Sequence, residues 1–403
     1  MVAEPAKIKV LNSLPEWLPQ TQTWMFTQCK HTPPEFEHHV LCTRTNHLDQ
    51  FPMSHIHCFE QELSRPRQWA EKAARRIYSR WGKITHLPYE VLRSKRLQPQ
   101  ILHSHFGNYA WRNIPLARGC GARQIVTFYG FDVSRLPRQE LWRQRYETLF
   151  EKTHGVLCEG RAMGKALEKL GCPREKITIQ HLGIELDRYP FRPRTLRRDE
   201  TLRVLMVGRF TEKKGFPIAL EALGKFARQH PLHITIIGDA QKTRSGADLR
   251  EKEKMQETIS RMGLESKVHF MGYQHHAVMI REAYGHHLSI APSITASNGD
   301  SEGGAPVSLI EMAASGMPVV ATRHCDIPEV LNYGRDHWLA REHHVDDLVD
   351  ILERWVAAPK EWNARLVHAR RHVEKEYDAV IQGQRLGEIY TRLLSNTPTQ
   401  EAP

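Results

Sequence analysis

Apolar residues along this chain come in short runs, each closed by a polar or glycine-bearing turn and followed by a stretch with helical spacing. In the first half, 7–11, 36–43, 101–106, 124–128, 156–158 and 177–180 read as strands, with a helix over 161–170. Residues 189–199 (YPFRPRTLRRD) are Pro- and Arg-rich and carry no periodic pattern, so a linker is expected over 191–200. The alternation then resumes, with strands at 202–207, 233–237, 268–271, 288–292 and 318–322 and helices at 217–229, 248–262, 277–284 and 307–315. After 327 the chain becomes helical, at 346–357, 359–376 and 377–394. Strands alternating with helices imply a parallel, doubly wound α/β sheet in each half, with ligands gathering at the carboxyl ends of the strands.

The densest chemistry lies in 291–329, APSITASNGDSEGGAPVSLIEMAASGMPVVATRHCDIPE. A polar loop reaches Glu302, Gly303 and Gly304, Pro306 opens a helix over 307–315, and Gly316 ends it before an apolar strand. Free N–H groups and the positive dipole end of that helix face the place where the glycines let an anionic ligand approach. A Gly-Gly turn before a helix is by itself an ordinary connection; here glutamates stand on both sides, Glu302 before the turn and Glu311 inside the helix. Upstream, GRFTEKKG follows the strand 202–207 and sets Arg209 and Lys214 on one loop. Arg forks onto phosphate oxygens and Lys supplies a point charge.

The run EGGAPVSLIEMAASGMPVVAT resembles the nucleotide-sugar site of the retaining glycosyltransferases of family 4, and GRFTEKKG matches that family's GRxxxxKG without gaps. Together with HSHFG and VTFYGFD the likeness is to enzymes that assemble bacterial exopolysaccharide or lipopolysaccharide. It implies a GT-B fold of two Rossmann-like domains, an acceptor domain over 1–190 and a nucleotide-sugar domain over 201–376. A final helix, 377–395, would cross back to the first domain, and 396–403 would form a disordered tail. It implies that Arg209 and Lys214 hold the pyrophosphate, with Lys213 the weaker choice. Glu311 would hold the ribose hydroxyls, Glu302 would touch the donor sugar, and Gly303 and Gly304 would offer backbone N–H. Tyr273, in the turn after 268–271, falls where the base is held. The family usually spaces its glutamates by seven residues; here eight intervene, an extra Gly in the turn that bulges without disturbing the helix.

In the first half His103 and His105 sit two apart at a strand end and so on one side, either as a hydrogen-bonded structural pair or facing ligand, with His105 the candidate for catalysis. Tyr129 stands where many family members have a histidine that contacts the donor sugar, and Asp132 either binds acceptor or holds the loop. No Asp-x-Asp triplet follows a strand, so no cofactor and no obligatory metal are expected. The family resemblance implies front-side attack, with the leaving phosphate oxygen taking the acceptor's proton. A noncatalytic binding subunit, an epimerase and a phosphorylase on the same scaffold remain alternatives; a nicotinamide enzyme would need a GxGxxG after a first strand, and none is present.

Length and charge refine this picture. The chain has 403 residues, room for two cores, and a net charge of +11 that permits nucleic acid, an anionic membrane or phosphorylated substrates as partners. No zinc-finger spacing or RNA-binding aromatic motif supports nucleic acid. Between 65 and 96 ten Lys or Arg (Arg65, Arg67, Lys72, Arg75, Arg76, Arg80, Lys83, Arg93, Lys95, Arg96) face only Glu71 and Glu90. Over 68–81 the residues Trp69, Ala73, Ile77 and Trp81 share a helical face, which either lies on anionic lipid or packs on the core. Seven cysteines without a CxxC fit a reduced cytosolic compartment, and no apolar run reaches the ~18 residues of a membrane span. The opening MVAEPAKIKVLNSLPEW is too interrupted for a signal peptide, so a cytoplasmic protein is expected, with an inner-membrane surface as a possible station.

Overall fold

The computed structural model describes residues 6–19, 24–80, 88–242, 245–331 and 338–395. It divides into two compact units, Met1–Gly183 with Ala379–Pro403, and Ile184–Asp378.

The first unit is built on seven strands: β1 (Ile8–Ser13), β2 (Phe36–Cys42), β3 (Ile56–Cys58), β4 (Ile101–His105), β5 (Arg123–Thr127), β6 (Gly155–Cys158) and β7 (Ile177–Ile179). Their order is β3-β2-β1-β4-β5-β6-β7, every pair parallel. Successive residues of a strand point to opposite faces, and both faces are covered. Val10, Ile101, Ile125 and Leu157 therefore pack with Leu386 and Tyr390 of the last helix, Ala379–Ser395. Their neighbours Leu11 and Leu102 pack on the other side with Phe59 and Leu116.

The second unit has β8 (Leu202–Val207), β9 (Leu232–Ile237), β10 (Val268–Gly272), β11 (Leu288–Ala291), β12 (Val319–Thr322) and β13 (Leu339–Ala340), in order β10-β9-β8-β11-β12-β13, again all parallel. Each sheet thus reverses its winding direction once, between β1 and β4 in the first unit and between β8 and β11 in the second. That reversal opens the crevice where doubly wound sheets bind ligands.

Two expected boundaries move. The linker assigned to 191–200 belongs to the second unit, since Ile184 and Tyr189 lie in its core. Arg194, buried, donates from Nη1 to the Ser315 carbonyl at 2.6 Å and from Nη2 to the Ala283 carbonyl at 2.7 Å. One guanidinium thus caps the ends of the helices Val307–Ser315 and His276–Gly285, where the dipole favours a cation. At the other end Tyr377 still packs in the second core, and the last helix begins at Ala379. The basic helix runs Arg65–Arg80 with Trp69 and Ile77 exposed, so its apolar stripe does not pack on the core. Trp81, Lys83 and the tail 396–403 lie outside the described residues. No helix among the described residues is long and apolar enough to cross a membrane.

Candidate functional site

At the reversal in the second sheet two loops meet. After β8, Gly208 to Gly215 lead into the helix Phe216–Phe226; after β11, a long loop leads to Val307–Ser315. Gly215 has φ +63, and a Cβ there would collide with the Pro292 carbonyl, so the glycine ending GRFTEKKG is what lets the loops touch. The Lys213 carbonyl accepts from Ile294 N–H at 2.8 Å. The Glu212 carboxylate takes both the N–H and the hydroxyl of Ser297 at 2.8 Å.

Lys214 Nζ lies 2.8 Å from Glu302 Oε1, which also accepts from the Ser293 hydroxyl at 2.9 Å. Burial alone would push the Glu302 carboxyl up, but Lys214 and Lys213 outweigh it and hold it at about 2. Glu302 is therefore ionised at neutral pH and can only accept hydrogen bonds. Its own N–H lies 3.1 Å from His324 Nε2, and the ring's Nδ1 lies 2.7 Å from Glu342 Oε1. Burial disfavours the charged ring, but Cys325 and Glu342 outweigh it and raise His324 to about 9. Glu342 Oε2 in turn accepts from Thr295 N–H at 2.7 Å. Lys213 turns to the Ser301 carbonyl, at 2.9 Å, leaving Lys214 as the loop's cation on Glu302. Between the two glutamates Gly303 takes φ +79, and the helix starts at Val307. No side chain caps that start, so its first N–H groups stay available for an anion.

Arg209 sits apart from this pair, with Nε 3.2 Å from Asp248 Oδ2 and Nη1 donating to Gln241 Oε1 at 3.2 Å. Glu311 forms a third group. Its Oε1 accepts from the Tyr189 hydroxyl at 2.6 Å and lies 2.8 Å from His276 Nε2. Burial lowers the affinity of His276 for its proton, and the Glu311 carboxylate reverses that and raises it above the usual imidazole value. Tyr273, beyond β10, donates its hydroxyl to the Asp239 carbonyl at 2.8 Å. His276, Tyr189, His324, Glu342 and Glu212 were not singled out from the sequence. Of these His324 and Glu212 carried a signal, His324 standing just past a strand's carboxyl end inside the densest stretch and Glu212 inside GRFTEKKG.

The first unit gathers its candidates at the matching place in its own sheet. His103 and His105 stack with ring centroids 4.4 Å apart. His103 Nδ1 meets the Tyr390 hydroxyl at 2.7 Å and Nε2 the Thr127 hydroxyl at 2.6 Å, both partners buried with it. His105 Nδ1 meets the Tyr129 hydroxyl at 2.7 Å, and Nε2 lies 3.3 Å from Asn12 Oδ1. Burial drives His103 well below its ordinary value and His105 to about 3. Asp132 accepts from Gly107 N–H at 2.8 Å and Tyr129 N–H at 3.0 Å, holding the turn together. Among the described residues no group of three or more His, Cys, Asp or Glu is arranged to hold a metal ion.

Two family models match, glycosyl transferases group 1 over residues 187–372 and glycosyltransferase family 4 over 27–188. The amylovoran biosynthesis glycosyltransferase AmsK of Erwinia amylovora is 33% identical over 315 residues, covering 76% of this chain and 74% of its own. The chain belongs to the family 4 glycosyltransferases. A second relative of this glycosyltransferase, WcaL of Escherichia coli, named for colanic acid biosynthesis, is 29% identical over 288 residues, covering 70% of this chain and 66% of its own. The fold is GT-B, two parallel-sheet Rossmann-like units. Alr3699/HepE of Anabaena, crystallised with UDP and glucose, superimposes with a TM-score of 0.74 at 15% identity, covering 96% of this chain and all of the other.

Proposed function

We propose that this glycosyltransferase moves a hexose, with retention and without a metal, from a nucleoside diphosphate sugar to a saccharide or lipid-linked saccharide during exopolysaccharide or lipopolysaccharide assembly. The observation that carries the reading is the Lys214–Glu302 pair at the sheet reversal, beside an uncapped helix start. The relatives named for amylovoran and colanic acid biosynthesis support the polysaccharide class, and the neighbour holding UDP and glucose supports the donor class.

The donor's diphosphate takes Lys214, Arg209 and the N–H groups at Val307. Negative charge grows there as the bond from sugar C1 to phosphate oxygen breaks, and preorganised cations stabilise that growth directly. Drawing Lys214 toward phosphate leaves Glu302 ionised and facing the sugar, where it accepts from a hydroxyl. Glu311, aimed by Tyr189 and His276, accepts from the ribose hydroxyls. Gly303 and Gly304 lend N–H groups, and the turn at Tyr273 holds the base. The acceptor oxygen bonds to C1 on the face the phosphate leaves, and its proton passes to the departing phosphate oxygen. In the first unit the buried bonding of His103, His105, Tyr129 and Asp132 favours scaffold roles. The enzyme works in the cytoplasm.

Nucleotide release from a panel of UDP-, GDP- and ADP-sugars in EDTA, beside Glu311→Ala and Arg209→Ala, tests this. Release from one donor, lost in both variants, is expected. Neither release nor a donor-induced thermal shift in the wild type would favour a noncatalytic binding subunit.

A further inference from the structure

A helix whose large apolar residues point into water has left them for something else. Arg65–Arg80 is such a helix: Trp69 is 74% and Ile77 60% exposed, two turns apart on one face, with Ala73 exposed between them. Lys72 and Arg76 are exposed on the same side and interleave with these apolar groups, and Arg65 and Arg67 are exposed at its start. The side turned inward is polar and held in place. Gln68 Nε2 donates to the Leu63 carbonyl at 2.8 Å, and Glu71 accepts from Tyr89 N–H at 2.9 Å. Glu90 is engaged by Arg112 at 2.8 Å, so both acids of the basic segment are bound elsewhere. In the next helix, Pro88–Leu97, Leu92 is 56% exposed, with Lys95 and Arg96 exposed nearby.

We propose that this face is a docking surface for an anionic lipid bilayer. The charge complementarity comes from six exposed cations, Arg65, Arg67, Lys72, Arg76, Lys95 and Arg96, while the two acids of the segment are engaged. Cations alone would serve any polyanion. What favours lipid is an indole and an isoleucine set among them, because a helix lying flat can sink its apolar side chains to the acyl boundary while lysine and arginine reach the phosphates. Indole also prefers the headgroup level over either bulk phase. The surface goes beyond the glycosyl-transfer reading and stands or falls separately from it.

The test is co-sedimentation of the whole protein with vesicles of phosphatidylcholine alone or with one-quarter phosphatidylglycerol. Binding to the anionic vesicles only, weakened by high salt, is expected. Lys72→Glu with Arg76→Glu should lower it about tenfold or more, and Trp69→Ser several-fold, with unchanged thermal midpoints because all three residues are exposed. Equal binding to both vesicles, binding to neither, or wild-type binding by the Trp69→Ser variant would overturn the proposal. So would lipid-free self-association that Trp69→Ser abolishes, which would assign the face to a second copy. Tighter binding to an RNA homopolymer than to vesicles, sensitive to the same charge reversals, would assign it to nucleic acid. Nucleotide release in these variants, expected at the wild-type level, separates failure of this proposal from failure of the transferase reading.

Discussion

The two sheets reverse at equivalent positions and fill them in opposite ways. In the second unit the reversal carries acids and bases matched in pairs, Lys214 with Glu302 and Arg209 with Asp248, the two cations standing on a loop that solvent partly reaches. In the first unit it carries buried, neutral rings, His103 and His105, bonded to Tyr390, Thr127, Tyr129 and Asn12. Burial has been turned to opposite ends. Beside lysines it leaves Glu302 charged, at about 2; among hydroxyls and stacked rings it strips His105 of its proton, at about 3. Paired charges are poised to exchange a partner for phosphate, while a satisfied neutral cluster has no such partner to give up. The same topology thus supplies one reactive loop and one rigid wall.

The largest effect that sharpens this contrast should come from Lys214→Ala. Turnover should fall on the order of a hundred- to a thousandfold, as when a preorganised transition-state partner is removed. Glu302 would also be left buried without its cation, costing about 3 kcal/mol of stability in urea unfolding. Arg209→Ala should match the catalytic loss and cost less stability, because Arg209 is itself partly exposed and buried Asp248 keeps the Gln241 N–H as a partner. Equal stability losses in the two would break the distinction.

The wall should answer the other way. His103→Ala opens a cavity and strands the Tyr390 and Thr127 hydroxyls, so about 3 kcal/mol of stability should go while the donor KM holds. A raised donor KM at full stability would move His103 into the site.

Acid separates the halves next. An unfolded histidine takes its proton near 6.5, whereas His38 waits until about 4 and His105 until about 3. Between those values the unfolded chain binds more protons, so stability falls as pH drops from 6.5, on the order of 1 kcal/mol per histidine per unit. His276 has the opposite sign: its value is raised, so its contribution is full below 6.5 and lost as pH rises through the folded value. Glu302 contributes fully above 4.5 and weakens only as pH falls toward 2. Hydrogen exchange at pH 5.5 against 7 should therefore show β4 and β5 opening first, with β8 and β11 little changed.

The smallest effect belongs to aim. Glu311→Gln keeps the shape but loses the charge that holds His276, and the donor KM should rise about fivefold with turnover nearly kept. His276→Ala should do the same and flatten the alkaline limb of the KM profile.

Much of this was legible in the chain. Strands buried on both faces announce themselves as apolar runs, so β8, β11 and β4 stood out, and Pro306 and Gly316 marked the helix between the glutamates. Short edge strands do not: Ile56–Cys58 and Leu339–Ala340 are too brief to show a period. The helix Gly107–Cys120 was hidden because it opens on a glycine, has no side-chain cap and contains Pro115. Partners distant along the chain leave no spacing at all, as with Tyr189 and Glu311, 122 residues apart, or His103 and Tyr390, 287 apart. Arg194 misled for a related reason, since a buried cation capping two helices has the composition of a solvated linker.

The most direct measurement is hydrogen exchange with and without the nucleoside diphosphate that the release assay identifies. Protection should appear at Gly208 to Gly215 and from Glu302 through the first turn of Val307–Ser315, with the His103 and His105 strand unchanged. Protection confined to that strand, with none on the Lys214 and Glu302 loops, would contradict the assignment of the donor to the second unit.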